Sequence, residues 1–287
     1  MTVFTGHTLG LVRSTVQRED GTRTPAGSLA VFPPRCFRTR KAELPKAQDH
    51  PEPLSSGSDD VLVPVSSGYL YWVMKVVLTP ILTIAFRPRV EGMGNIPRDA
   101  PAVLASNHTS YLDWLFLPLV VRFRRISFLA KLEYFTRKGI RGRLQAYFFT
   151  ATGQVAVDRR GADAASASLR TAVSLLHQGR LVGMFPEGTR TRDGRLHRGR
   201  TGVARIALQT GVAVIPCALV GVYEVCPPGV RIPRPRKVTV RFGEPMPPVL
   251  GPAPEQLRAW TDDLMARICA LSGQEYSGVD AVGGTRS

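Results

Sequence analysis

Val103-Leu104-Ala105-Ser106-Asn107-His108-Thr109-Ser110-Tyr111-Leu112-Asp113 is the stretch from which the fold can be read. The apolar run over 102–105 suits a short buried strand, and Asn107, Thr109 and Ser110 supply turn and N-cap chemistry for the apolar segment that follows. A strand handing over to a helix is the repeating unit of an α/β domain. His108 then falls at the handover, a place from which a side chain can face a ligand.

The spacing from His108 to Asp113 tests that placement. Five residues of continuous helix turn through about 500°, which would put the two side chains on different faces. If His108 lies in the loop and the helix starts near Ser110, the Asp113 carboxylate can reach back to the imidazole. It would fix the ring tautomer and stabilise the imidazolium, leaving the second nitrogen to take a proton from an alcohol. This is the base half of a catalytic triad without its serine. The plainer alternative is a polar residue at a strand end beside a solvated helix aspartate, since short patterns recur by chance. A second element is needed.

Outward from this stretch, the composition limits the classes. With 38 Lys and Arg against 22 Asp and Glu, the formal net charge is +16. Residues 1–60 hold 8 basic and 7 acidic residues, leaving 30 and 15 for residues 61–287. The excess sits in the part able to fold, which implies an anionic partner such as a membrane surface, a phosphorylated substrate or nucleic acid. Cys36, Cys217, Cys226 and Cys269 show neither Cys-x2-Cys pairing nor a histidine at metal spacing. They read as reduced thiols, with no structural metal and no disulfide framework.

Residues 1–60 are rich in Pro, Ser, Gly and Thr and read as a disordered extension. Residues 61–88 form a membrane-associated helical segment, whose apolar part, 68–86, is just long enough to cross a bilayer. Lys75 and Pro80 interrupt it, and a central lysine costs about 2.5–3.5 kcal/mol on insertion. Tyr69, Tyr71 and Trp72 at one end and Arg87 and Arg89 at the other suit the headgroup interface. A helix lying in one leaflet of the cell membrane, on the cytoplasmic face, is the first reading, and a single span the second. Strands and helices then alternate over 89–272, implying one α/β domain with a mixed central sheet flanked by helices. Residues 236–242 read as its last strand, 254–271 as a closing amphipathic helix, and 273–287 as a flexible tail. Between 122 and 143, eight basic residues meet one acidic residue and are interleaved with aromatics. That mixture suits lipid headgroups or single-stranded nucleic acid equally.

The second constellation is Phe185-Pro186-Glu187-Gly188-Thr189-Arg190, which also follows an apolar strand. Ligand sites in open α/β sheets gather at such strand ends. Gly188 lets backbone approach a ligand, Thr189 offers a hydroxyl, and Arg190 offers a fork suited to a phosphate. Glu187 either holds that arginine or meets a substrate hydroxyl.

In order, Asn107-His108-x4-Asp113, residues 153–159 ending in Arg159, Phe185 to Arg190, and Val214-Ile215-Pro216 resemble the four blocks of the 1-acylglycerol-3-phosphate O-acyltransferases and their glycerolipid acyltransferase relatives. The likeness spans roughly residues 70–250. It implies transfer of a fatty acyl group from acyl-CoA or acyl carrier protein to the sn-2 hydroxyl of 1-acylglycerol 3-phosphate, yielding phosphatidic acid. His108 would be the base and Asp113 its orienter. Arg159 and Arg190 would hold the phosphate, with Glu187, Gly188 and Thr189 completing that site, and Lys131 is the candidate oxyanion stabiliser. The thioester is a co-substrate, so no cofactor or metal is implied. The partners are a lysophospholipid, the acyl thioester or its carrier protein, and an anionic membrane; no nucleic acid is expected.

Two other readings are weighed. Residues 194–201 match a phosphate-binding loop with Arg200 in place of its lysine, but arginine replaces a point charge poorly and no strand leads directly into them. A nucleic-acid-binding protein would rest on charge alone.

Overall fold

The computed structural model describes residues 68–158, 164–227, 229–230 and 232–281. The extension read over residues 1–60, together with Arg159, lies outside them. The described chain runs α1 (Gly68–Phe86), β1 (Arg89–Glu91), a 3-10 turn (Met93–Asn95), β2 (Ala102–Ser106), α2 (Asp113–Val120), β3 (Ile126–Lys131), α3 (Glu133–Thr136), α4 (Gly139–Ala151) and β4 (Gln154–Val157). It continues through α5 (Ala164–His177), β5 (Leu181–Met184), β6 (Leu196–Arg198), α6 (Gly202–Thr210), β7 (Ala213–Val220), α7 (Val222–Val225), β8 (Thr239–Phe242), α8 (Pro254–Ser272) and β9 (Tyr276–Asp280).

Seven strands make the main sheet in the order β1-β8-β7-β2-β5-β3-β4. Only β8 against β7 is antiparallel, so the sheet is mixed, as expected. Strand β2 lies at its centre, and every residue in it is buried. Successive side chains of a strand point to opposite faces, and β2 divides its residues accordingly. Ala102 and Leu104 join Phe116 and Leu117 of α2 and Phe86 of α1 in one core. Val103 and Ala105 join Leu175 of α5, Ile206 of α6 and Ile268 of α8 in the other. Helices cover both faces, which is why β2 is apolar from Ala102 to Ala105 rather than alternating.

Two expectations change. Helix α2 begins at Asp113 itself rather than near Ser110. Residues 276–280, read as part of a flexible tail, form β9 in parallel with β6, where Leu196 donates its amide to the Glu275 carbonyl at 2.9 Å. A short exposed strand carries little apolar periodicity, so its partner, distant in sequence, decides its state. Residues 194–201 contain β6, so they do not wrap as one phosphate-binding loop.

Helix α1 is part of the folded body. Tyr71 and Phe86 are buried, and Lys75 turns inward to donate from Nζ to the Val121 carbonyl at 2.5 Å, above the Trp72 ring. A lysine in an apolar helix is tolerable when its ammonium finds such a partner. Among the described residues no helix is long and apolar enough to cross a membrane.

Candidate active site

Strands β2 and β5 end side by side, with Ala105 opposite Met184. The segments leaving them, 107–112 and 185–195, therefore share one edge of the sheet. That adjacency brings together two sequence blocks about eighty residues apart.

His108 lies in the first segment, and its Nδ1 is 2.8 Å from Asp113 Oδ2. A carboxylate oxygen accepts, so Nδ1 donates and the lone pair is on Nε2. Asp113 is fully buried. Its Oδ2 also accepts the backbone amides of Thr109 at 2.5 Å and Ser110 at 2.8 Å. Starting the helix at Asp113 leaves those amides outside the helical ladder, and the carboxylate satisfies them. The same bonds aim Oδ2 at the imidazole.

The ring is held from a second side by Phe185, stacked on it with centroids 3.9 Å apart and planes 10° from parallel. The neighbouring hydroxyls are occupied. Ser106 donates to Asn107, and Ser110 to the Cys226 carbonyl. Neither is placed as a nucleophile activated by His108, so the arrangement suits a base acting on an incoming hydroxyl.

Glu187 was expected to complete a phosphate site. Instead its side chain is turned into the protein, 2% exposed. Oε1 accepts the His108 amide and Oε2 the His197 amide, each at 2.9 Å. Burial pushes the carboxyl up to about 7, against the pull of those two amides. Glu187 is thus a brace under the histidine.

Arg190 is where a ligand could meet it. Its guanidinium lies over the Tyr111 ring, 3.2 Å from the centroid, and the next residue, Thr191, donates its amide to the His108 carbonyl at 2.9 Å. The arginine loop and the histidine loop are therefore tied together. Stacking holds the guanidinium plane while its N–H edge stays available to a phosphate. Gly188 sits at φ +74°, and a Cβ there would come within 3.1 Å of the Arg200 Nε, so this turn needs glycine. Thr189 is half-buried in the same turn. Lys131 ends β3 at the same sheet edge, with its side chain exposed. Of the expected site residues, His108, Asp113, Glu187, Gly188, Thr189 and Arg190 are gathered here.

Tyr111 and Phe185 stand inside the motifs, yet the sequence gives them no role. The brace on His197 and the contacts of Gln274, described below, have no local signal at all.

The sequence matches the Acyltransferase family over residues 87–220. A 1-acyl-sn-glycerol-3-phosphate acyltransferase of Bacillus subtilis is 30% identical over 202 residues, covering 69% of this chain and 94% of that protein. The chloroplastic 1-acyl-sn-glycerol-3-phosphate acyltransferase LPAT1 of Arabidopsis thaliana is 35% identical over 145 residues, 50% of this chain. This chain spans about two fifths of the length of that plant protein, 39%. The crystal structure of the 1-acyl-sn-glycerophosphate acyltransferase PlsC from Thermotoga maritima superposes with a TM-score of 0.55 at 28% identity, over 70% of this chain and 78% of that one.

Proposed function

Because this chain belongs to the acyltransferase family, we propose that it moves a fatty acyl group from a thioester to the sn-2 hydroxyl of 1-acyl-sn-glycerol 3-phosphate. The observation that carries this reading is the tie between the two loops: the base His108 is bonded through its own carbonyl to the residue beside Arg190. A group that removes a proton and a group that suits a phosphate thus stand a fixed distance apart, as a hydroxyl next to a phosphate ester requires.

His108 Nε2 takes the hydroxyl proton as the acceptor oxygen attacks the thioester carbonyl carbon. Asp113 stabilises the imidazolium that results. The tetrahedral oxyanion collapses, the C–S bond breaks, and the imidazolium returns its proton to the departing thiolate. The products are the diacyl ester and a free thiol, either coenzyme A or the carrier protein's. Arg190, with Arg159, Gly188 and Thr189, takes the acceptor phosphate, and Lys131 supplies positive charge for the oxyanion.

The lipid substrates reach this site at a membrane surface on the cytoplasmic side. Helix α1 exposes Tyr69, Trp72, Val76, Val77, Ile81 and Ile84, and α4 exposes Ile140, Leu144 and Tyr147. With Lys75 turned inward, the exposed face of α1 is apolar. Exposed Arg137 and Lys138 precede α4 and exposed Arg141 and Arg143 lie within it, where they suit anionic headgroups at about 1 kcal/mol each.

The test is thiol release from acyl-CoA and from acylated carrier protein by the purified chain, across a panel of lysophospholipids. Turnover that requires a phosphomonoester acceptor is expected. Equal use of lysophosphatidate and neutral monoacylglycerol would exclude the assigned acceptor.

A further inference from the structure

The segment that follows α8 touches both loops of the site. Asn107, which precedes the base, is 1% exposed and makes four side-chain contacts. Its Oδ1 accepts the Leu219 amide at 2.8 Å and the Ser106 hydroxyl at 3.1 Å. Its Nδ2 donates to the Leu219 carbonyl at 3.1 Å and to Gln274 Oε1 at 2.7 Å. The two bonds to Leu219 continue the β2–β7 pairing past Ser106 and fix which way the amide points. Gln274 Nε2 then donates to the Gly194 carbonyl at 2.7 Å, in the loop that carries Arg190. A flip of either amide would set donor against donor, so this chain of bonds has one self-consistent arrangement.

Gln274 is itself held in place. Gly273 ends α8 at φ +70°, and the Gln274 amide donates to the Ser272 hydroxyl at 3.2 Å. Glu275 accepts Arg195 at 2.8 Å, and Ser277 contacts His197 Nδ1 at 3.0 Å. His197 is the residue whose amide meets Glu187. The segment therefore grips the site twice, through Gln274 and through β9 on β6.

We propose that Gln274 is a positioning residue for acyl transfer, setting the spacing between the strand end that presents His108 and the loop that presents Arg190. It touches no reacting atom and acts through Asn107 and Gly194. This rests on the acyltransferase reading above.

The experiment compares the full chain with Gln274→Ala and Gln274→Glu, measuring kcat, the KM for lysophosphatidate and thermal unfolding. Gln274→Ala removes both bonds, and a fall in kcat of roughly 10-fold to 100-fold with a raised acceptor KM is expected, since small misplacements near the chemistry have such effects. Gln274→Glu still accepts from Asn107 but has no donor for Gly194. It should recover most of kcat while the acceptor KM stays high. Wild-type kinetics in Gln274→Ala would overturn the proposal. So would equal losses in both variants that track a fall in melting temperature, because a merely structural role gives no such split. Absence of any turnover in the wild-type chain would remove the acyltransferase reading itself and this proposal with it.

Discussion

Replacing Glu187 by Gln tests the brace beneath the base. Both carboxylate oxygens accept a backbone amide, so a side-chain amide can serve only one of His108 and His197 and must turn its NH2 toward the other. A buried amide left facing a donor costs about 1–3 kcal/mol. Against this, the substitution removes a charge that burial resists. Burial pushes the carboxyl up from its ordinary 4.5 to about 7 in the folded chain, so the folded state binds more protons than the unfolded state between those values. Stability from this group is therefore fully present below about pH 4.5 and declines as pH rises to about 7, by about 3 kcal/mol in all. The glutamine variant has no such decline. Urea unfolding followed from pH 5 to pH 8 should show the variant clearly less stable than wild type at pH 5 and close to parity at pH 8. A constant offset across the range would refute the reasoning, because it would mean that Glu187 does not titrate in this window. At pH 8 acyl transfer by the variant should still fall roughly 10-fold to 100-fold, since the His108 backbone loses its anchor.

Arg190→Ala should raise the KM for lysophosphatidate about tenfold or more and change kcat less, because a charge-assisted bond to the acceptor is worth about 1.5–3 kcal/mol. An unaltered acceptor KM would show that the guanidinium over Tyr111 faces no phosphate. Introducing Val76→Asp with Ile84→Asp, at positions 72% and 76% exposed on α1, should cut sedimentation with anionic vesicles by about tenfold or more while leaving the unfolding midpoint in place. Undiminished sedimentation would move the membrane contact away from α1.

The sequence revealed the parts of this fold whose signals are local. The apolar run of β2 has no polar residue before Ser106, and its burial on both faces follows directly. The spacing from His108 to Asp113 likewise excludes one geometry, a continuous helix, and leaves the loop placement that the structure adopts. From the sequence, Glu187 beside Gly-Thr-Arg reads as a ligand contact. Its inward turn depends on the amides of His108 and His197, neither of which a side-chain pattern encodes. The strand β9 and Gln274 were missed for a related reason. Their partners are about eighty residues away or more, and residues 276–280 alone resemble any polar terminus. Lys75 shows the reverse case. It reads as a cost to an apolar helix, and the Val121 carbonyl that offsets the cost comes from the end of α2.

The most direct measurement is the turnover of His108→Ala with acyl-CoA and lysophosphatidate on anionic vesicles, beside wild type. General base catalysis contributes about 10²–10⁴ in rate, so activity should drop by at least that lower factor while vesicle binding and unfolding stay unchanged. If the variant released thiol at a rate near wild type, proton transfer through the Asp113-bound imidazole would not be how this enzyme works.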